Sequence, residues 1–210
     1  SDSSRIPLMF ELAQLHATRL QDSDRAVGGF LSVLELDPTH RATVAALEEL
    51  RAADPGTSLA VMRGLLPYYK RTDDRPKEAE AMEVIVAAEH DESARFDQLT
   101  ALASIYERME ERREDALRIR DQLFRADPSQ WEARQVLARL GGELGRMQDV
   151  SDAYEAALAG IAQQAEDAET EGRTLPREQA TLRRDLLLEH AVILRDQLGE
   201  RARAEAAFGV

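Results

Sequence analysis

Residues 12–38, LAQLHATRLQDSDRAVGGFLSVLELDP, align without a gap with residues 102–128, LASIYERMEERREDALRIRDQLFRADP. Leu12 meets Leu102, Ala13 meets Ala103, Ala26 meets Ala116, and Asp37-Pro38 meets Asp127-Pro128, an offset of 128 − 38 = 90 residues. The match runs past the proline, with Leu47 against Leu137 and Leu50 against Leu140. A third copy, residues 190–208, follows after 190 − 102 = 88 residues and puts Ala191, Leu194, Ala204 and Phe208 in corresponding places. It stops where the next Asp-Pro is due, so an array continuing past residue 210 is expected. A chain that repeats itself in this way is built of supersecondary units, each burying its apolar face against the next.

The unit is a helical hairpin. Ala, Leu, Glu and Arg dominate the composition, and apolar residues recur at helical spacing almost from end to end. MEVIVAA at 82–88 is the most strand-like stretch, but without flanking turn signals it reads as the buried part of a helix. Turn signals divide the chain into about eleven helices. They lie near 6–20, 23–36, 40–53, 57–71, 76–89, 92–109, 112–126, 129–144, 147–171, 177–198 and 200–209. Ser23, Thr39, Thr57, Asp91 and Ser129 stand where N-caps are needed, and Pro76 suits a first helical position. Connections of a few residues predict antiparallel neighbours. A small residue early in the second helix (Ala26, Ala116, Ala204) sits where two backbones cross, and Phe30, Val33 and Leu34 fill the space beyond. Proline then stops the helix by forcing the preceding residue out of the helical region. Five helices separate the first two copies but four separate the second and third. The reading therefore leaves open either a single broken helix over 40–71 or a phase break near Asp54-Pro55-Gly56.

These hairpins resemble the tetratricopeptide repeat, in the divergent Glu- and Arg-rich form of long bacterial arrays, whose first helix carries one extra residue before its turn. The resemblance rests on Leu12, Ala13, Ala26, Phe30 and Pro38, then on Leu102, Ala103, Tyr106, Ala116 and Pro128, with a weaker copy at Leu137, Ala138, Gly145, Tyr154 and Ala157. It covers most of the chain, fits poorly over 40–90, and replaces the usual helix-start Trp by Phe10 or Leu99. It implies an all-α fold, a right-handed superhelical solenoid of antiparallel hairpins forming one array over 1–210. It also implies a concave face lined by first helices. The matching positions are Phe10, Gln14, Ala17 and Thr18, then Thr100, Ser104, Glu107 and Arg108, then Gln135, Arg139 and Glu143. Thr100 and Ser104 stand where peptide-binding members carry a carboxylate clamp, so the expected ligand is a protein segment without that anchor.

The side chains do not spell a reaction. His16, His40, His90 and His190 are isolated, and none forms an H-E-x-x-H pair. His16 aligns with Tyr106 and reads as a core histidine; His90 precedes the Asp91 cap. Phosphate-binding glycine patterns and a G-x-S-x-G elbow do not occur, and Gly28-Gly29 and Gly141-Gly142 read as close helix contacts or kinks. With 40 acids, carboxylate pairs at helical spacing carry no information, and the charge run at 107–118 reads as a solvated corner. Trp131 reads as packing on the preceding hairpin, against Phe124. A net charge of −13 argues against a nucleic-acid backbone as main partner. The chain has no cysteine, and no apolar run reaches the ~20 residues that span a bilayer. The expectation is a non-enzymatic scaffold without cofactor or metal that binds a protein or peptide, with a spacer or end-to-end self-associating segment as the alternative. With no signal segment visible, a cytoplasmic location is favoured.

Overall fold

The computed structural model describes residues 2–208; the packing expected of the Phe208 side chain lies outside the described residues. Among the described residues there are eleven α-helices and no strand. They are α1 (Asp2–Leu15), α2 (Ser23–Leu36), α3 (Arg41–Ala53), α4 (Ser58–Thr72), α5 (Arg75–Ala87), α6 (Glu92–Tyr106), α7 (Arg113–Ala126), α8 (Trp131–Glu143), α9 (Met147–Thr170), α10 (Arg177–Val192) and α11 (Arg201–Phe208). The helical count and the all-α class agree with the sequence reading, and MEVIVAA lies in and just past α5, with Met82, Ile85 and Val86 buried.

Two compact units divide the chain, residues 1–105 and 106–210. In the first, α1 packs on α2, α2 on α3 and α4, and α4 on α5. Its core gathers Ala13, Ala26, Val27, Phe30, Val44, Leu47, Val61, Met62, Leu65 and Tyr69. The α1–α2 crossing is as close as the alanines predict. A Cβ built on Gly29 would stand 2.9 Å from the Ala13 Cβ, so the two backbones touch where neither side chain can grow. Helices α3 and α4 are separate and in contact, joined by a single 3₁₀ turn at Pro55–Thr57. In the second unit α7 packs on α8 and α9, α9 on α10, and α10 on α11. Here Gly141 admits the Val150 side chain, whose Cγ2 lies 2.3 Å from where a Cβ would be.

The Asp-Pro stop works through its aspartate as well as its proline. Asp37 Oδ1 accepts from the Thr39 backbone N–H (2.9 Å) and hydroxyl (2.7 Å), and Asp127 Oδ1 accepts from the same groups of Ser129 (3.0 and 2.5 Å). Asp54 repeats the turn on the Gly56 N–H. This corrects the expected caps. Thr39 and Ser129 are spent on the turn, and the residues that enter α3 and α8 are His40, whose ring accepts from the Thr43 N–H, and Gln130. Asp22 rather than Ser23 caps α2, and the Thr57 hydroxyl donates backwards to the Asp54 carbonyl instead of capping α4. Asp91 does cap α6, accepting from the Ala94 N–H at 2.7 Å.

The first helices of copies one and three do not end as simple α-helices. They widen into π-helical turns at His16–Leu20 and Ile193–Gln197, each closed by a bond spanning five residues. A residue in excess of the α-helical period is absorbed in this way. Copy two leaves instead through a 3₁₀ turn at Glu110–Arg112.

Candidate binding groove

The second unit carries an open apolar groove of about 340 Å³ between α8 and α10, floored by Tyr154 of α9. Trp131, Arg134, Gln135 and Ala138 line one wall, at the spacing of a single helical face. Leu188, Glu189, Val192 and Ile193 line the other. Trp131 is 56 % exposed, Leu188 47 % and Val192 44 %, so three large apolar side chains face solvent around one cleft. This corrects the expectation for Trp131. Phe124 takes Tyr154 as its aromatic partner instead, at 4.9 Å between ring centroids, and Trp131 is left on the surface.

The groove is rigid underneath. Arg134, 7 % exposed, donates from Nη1 to the carbonyls of Pro128 (2.8 Å) and Ser129 (3.3 Å), so it pins the start of α8 to the Asp-Pro corner. Its Nε lies 3.0 Å from Glu189 Oε2, close enough for an ion pair although misaligned for a hydrogen bond. Tyr154 donates to the same Glu189 oxygen at 2.8 Å. Burial and then the Glu189 charge push the phenol's pKa well above its usual value, so it stays a donor. The same trio of buried tyrosine, glutamate and cation recurs in the first unit as Tyr69, Glu48 and Lys77. That recurrence marks the trio as a packing device, and leaves recognition to the apolar walls.

Beside it, the buried Ser151 hydroxyl sits 2.8 Å from His190 Nε2, with Glu155 Oε1 3.9 Å from the same nitrogen. Tyr154 stacks on the imidazole at 6.1 Å. A hydrolytic triad needs the hydroxyl and the acid on opposite ring nitrogens, with the hydroxyl reachable by substrate. Here both groups face Nε2 and Ser151 is 0 % exposed, so the pair joins α9 to α10. Burial lowers the His190 pKa, outweighing the attraction of Glu155.

The predicted concave-face residues separate into three groups. Glu107, Arg139 and Glu143 come together in one ionic network. Arg139 donates to Glu107 (2.8 Å) and Glu143 (2.9 Å), and the mostly buried Arg120 donates to Glu107 at 2.8 and 2.9 Å. Gln135 alone of the set lines the apolar groove. In the first unit Phe10 is half-buried, 5.5 Å from the Phe30 ring and 5.4 Å from His40. Thr18, Thr100 and Ser104 turn their hydroxyls onto the carbonyls four residues back, Gln14, Phe96 and Thr100. Gln14 and Arg108 are exposed. His16, expected in the core, is only half-buried. Sequence reasoning missed Leu188 and Val192, which look like ordinary positions of an amphipathic helix. Among the described residues no cluster of His, Asp and Glu is placed to hold a metal ion, and no helix is long and apolar enough to cross a membrane. A scan against protein-family models finds no match, and a search of curated proteins finds no relative.

Proposed function

We propose that this chain is a non-enzymatic segment of a tetratricopeptide-like solenoid, whose α8–α10 groove binds a protein segment presenting bulky apolar side chains. The observation that carries the reading is the concentration of solvent-facing Trp131, Leu188 and Val192 around one cleft. Single exposed apolar residues need no explanation, but a contiguous patch flanked by polar groups is the usual mark of an interaction surface. A tryptophan at its edge is the residue type most enriched among energetic anchors. The repeat grammar supports the solenoid, since α8 and α10 are the first helices of successive hairpins in that scheme. The Tyr154 floor, held under the Arg134–Glu189 pair, supports recognition without a large rearrangement on binding.

Trp131 is the one tryptophan of the chain, so its fluorescence reports the groove. Helical peptides selected from a displayed library against the protein should blue-shift that emission, and Leu188→Glu should weaken their binding at least tenfold. Peptides that bind the variant as well as wild type, or a selection that yields none, would remove the reading.

A further inference from the structure

Among the described residues eight large apolar side chains are exposed, and seven of them fall in two patches. Three are Trp131, Leu188 and Val192 of the groove. Four lie at the start of the first unit: Leu8 (67 %), Leu12 (56 %) and Leu15 (50 %) on α1, and Leu20 (62 %) in the π-helical turn that follows. Leu8, Leu12 and Leu15 are spaced four and three residues apart, so they form one ridge along one face of α1. That ridge is the convex counterpart of a groove between two helices.

We infer that the groove's occupant is α1 of a second copy of this chain, whose Leu8–Leu12–Leu15 ridge docks between α8 and α10. The inference rests on the groove being a docking site, as proposed above. The dimensions agree. The ridge from Leu8 to Leu15 spans eight residues, and the groove wall from Trp131 to Ala138 spans eight, each about 10 Å along a helix. The charges agree as well. Exposed Arg19 lies one turn beyond Leu15 and exposed Glu132 adjoins Trp131, so a cation at the end of the ridge can meet an acid at the mouth of the groove, whose own Glu189 is already paired with Arg134. Ridge and groove belong to different units of the chain, so the contact is heterologous: each copy offers one ridge and one groove, and joining them generates head-to-tail assembly.

Heterologous docking has a consequence that symmetric pairing lacks. Leu12→Glu destroys the ridge and keeps the groove, whereas Val192→Glu destroys the groove and keeps the ridge. Both side chains are about half exposed, so the variants should fold, which far-ultraviolet circular dichroism checks; Leu8→Glu and Leu188→Glu give a second pair. In sedimentation equilibrium the wild type should gain mass with concentration, and each single variant should associate at least tenfold more weakly. An equimolar mixture of the two should recover a complex that stops at one copy of each. Association abolished by Leu12→Glu but untouched by Val192→Glu would show ridge-on-ridge pairing and overturn the inference. So would association indifferent to both variants, or a mixture that fails to form the two-copy complex. A wild type that stays monomeric while its groove still takes library peptides would overturn the second-copy occupant and leave the groove reading standing. A monomer whose Trp131 responds to no peptide would remove both.

Discussion

The first and second copies of the sequence repeat put different chemistry at equivalent positions. In copy one the aromatic rings of Phe10, Phe30 and His40 lie together, with Phe30 1 % exposed and Ala17 packed against the same core. Ninety residues on, those four positions are Thr100, Arg120, Gln130 and Glu107. Arg120 occupies the place of Phe30 at 8 % exposure, and it is held by Glu107 in the place of Ala17. Where copy one has an aromatic contact, copy two has an ion pair extended through Arg139 and Glu143. Three positions that both copies hold apolar or small, Ala13/Ala103, Ala26/Ala116 and Leu47/Leu137, are buried in both. Close backbone approach tolerates little variation, because a larger side chain has nowhere to go. The pocket beside it accepts either solution as long as buried charge is paired.

The sharpest test removes the two solutions in turn. Phe30→Ala should cost about 3–5 kcal/mol in urea unfolding, the usual loss for a large aromatic in a packed core. Glu107→Ala should cost about 2–4 kcal/mol, because it withdraws the carboxylate that compensates a mostly buried guanidinium. Converting the second copy to the first, with Glu107→Ala and Arg120→Phe together, should return to within about 1 kcal/mol of wild type or exceed it. A double variant as unstable as Glu107→Ala alone would mean that the two pockets are not equivalent.

Acid should weaken the third copy through His190, which stands in register with Leu12 and Leu102. Its folded pKa lies below the ordinary 6.5, so the unfolded chain binds the proton first. Stability is therefore intact above pH 6.5 and is lost as pH falls through the folded value. His190→Leu, which restores the residue of the other copies, should flatten that slope in thermal melts taken between pH 7.5 and 5. The turns should respond more weakly and alike. Asp37→Ala and Asp127→Ala should each cost about 0.5–1.5 kcal/mol, as each releases paired hydrogen bonds. Smallest is Gln21→Gly. Gln21 has φ 52° after the first π-helical turn, where the third copy carries Gly199 at φ 72°. Relief of left-handed strain, less the added freedom of the unfolded glycine, should stabilise copy one by up to about 1 kcal/mol.

The helices were legible from local signals, since apolar spacing and proline stops act within one or two turns. Their exact entries were less so. Thr39 and Ser129 have the chemistry of caps, but each donates its own N–H and hydroxyl to the aspartate two residues earlier, and the helix starts one residue further on. The first helix begins at Asp2 rather than near residue 6, and Pro7, its sixth residue, lies inside it beyond the first turn, where a proline ordinarily marks a boundary. The candidate site was legible only at Gln135. The charged positions singled out with it, Glu107, Arg139 and Glu143, are engaged with one another, and a residue spent on an internal partner has the same letter as one that is free. Trp131 carried the right signal, a large aromatic at a helix start, but its expected partner Phe124 was already taken by Tyr154.

From its sequence alone this chain is all-helical, punctuated by Asp-Pro turns, and repeated at offsets of 90 and 88 residues with small residues at the crossings. Those properties come from interactions between near neighbours in the chain. Which apolar residues stay in water was decided by tertiary structure. Leu12 and Leu102 share a repeat position, yet one is 56 % exposed and the other 4 %; His190, in the same register, is also 4 % exposed and holds Ser151. Burial at such a position depends on whether another helix covers it. The linear pattern shows that a face is apolar and leaves its cover to the packing of distant segments.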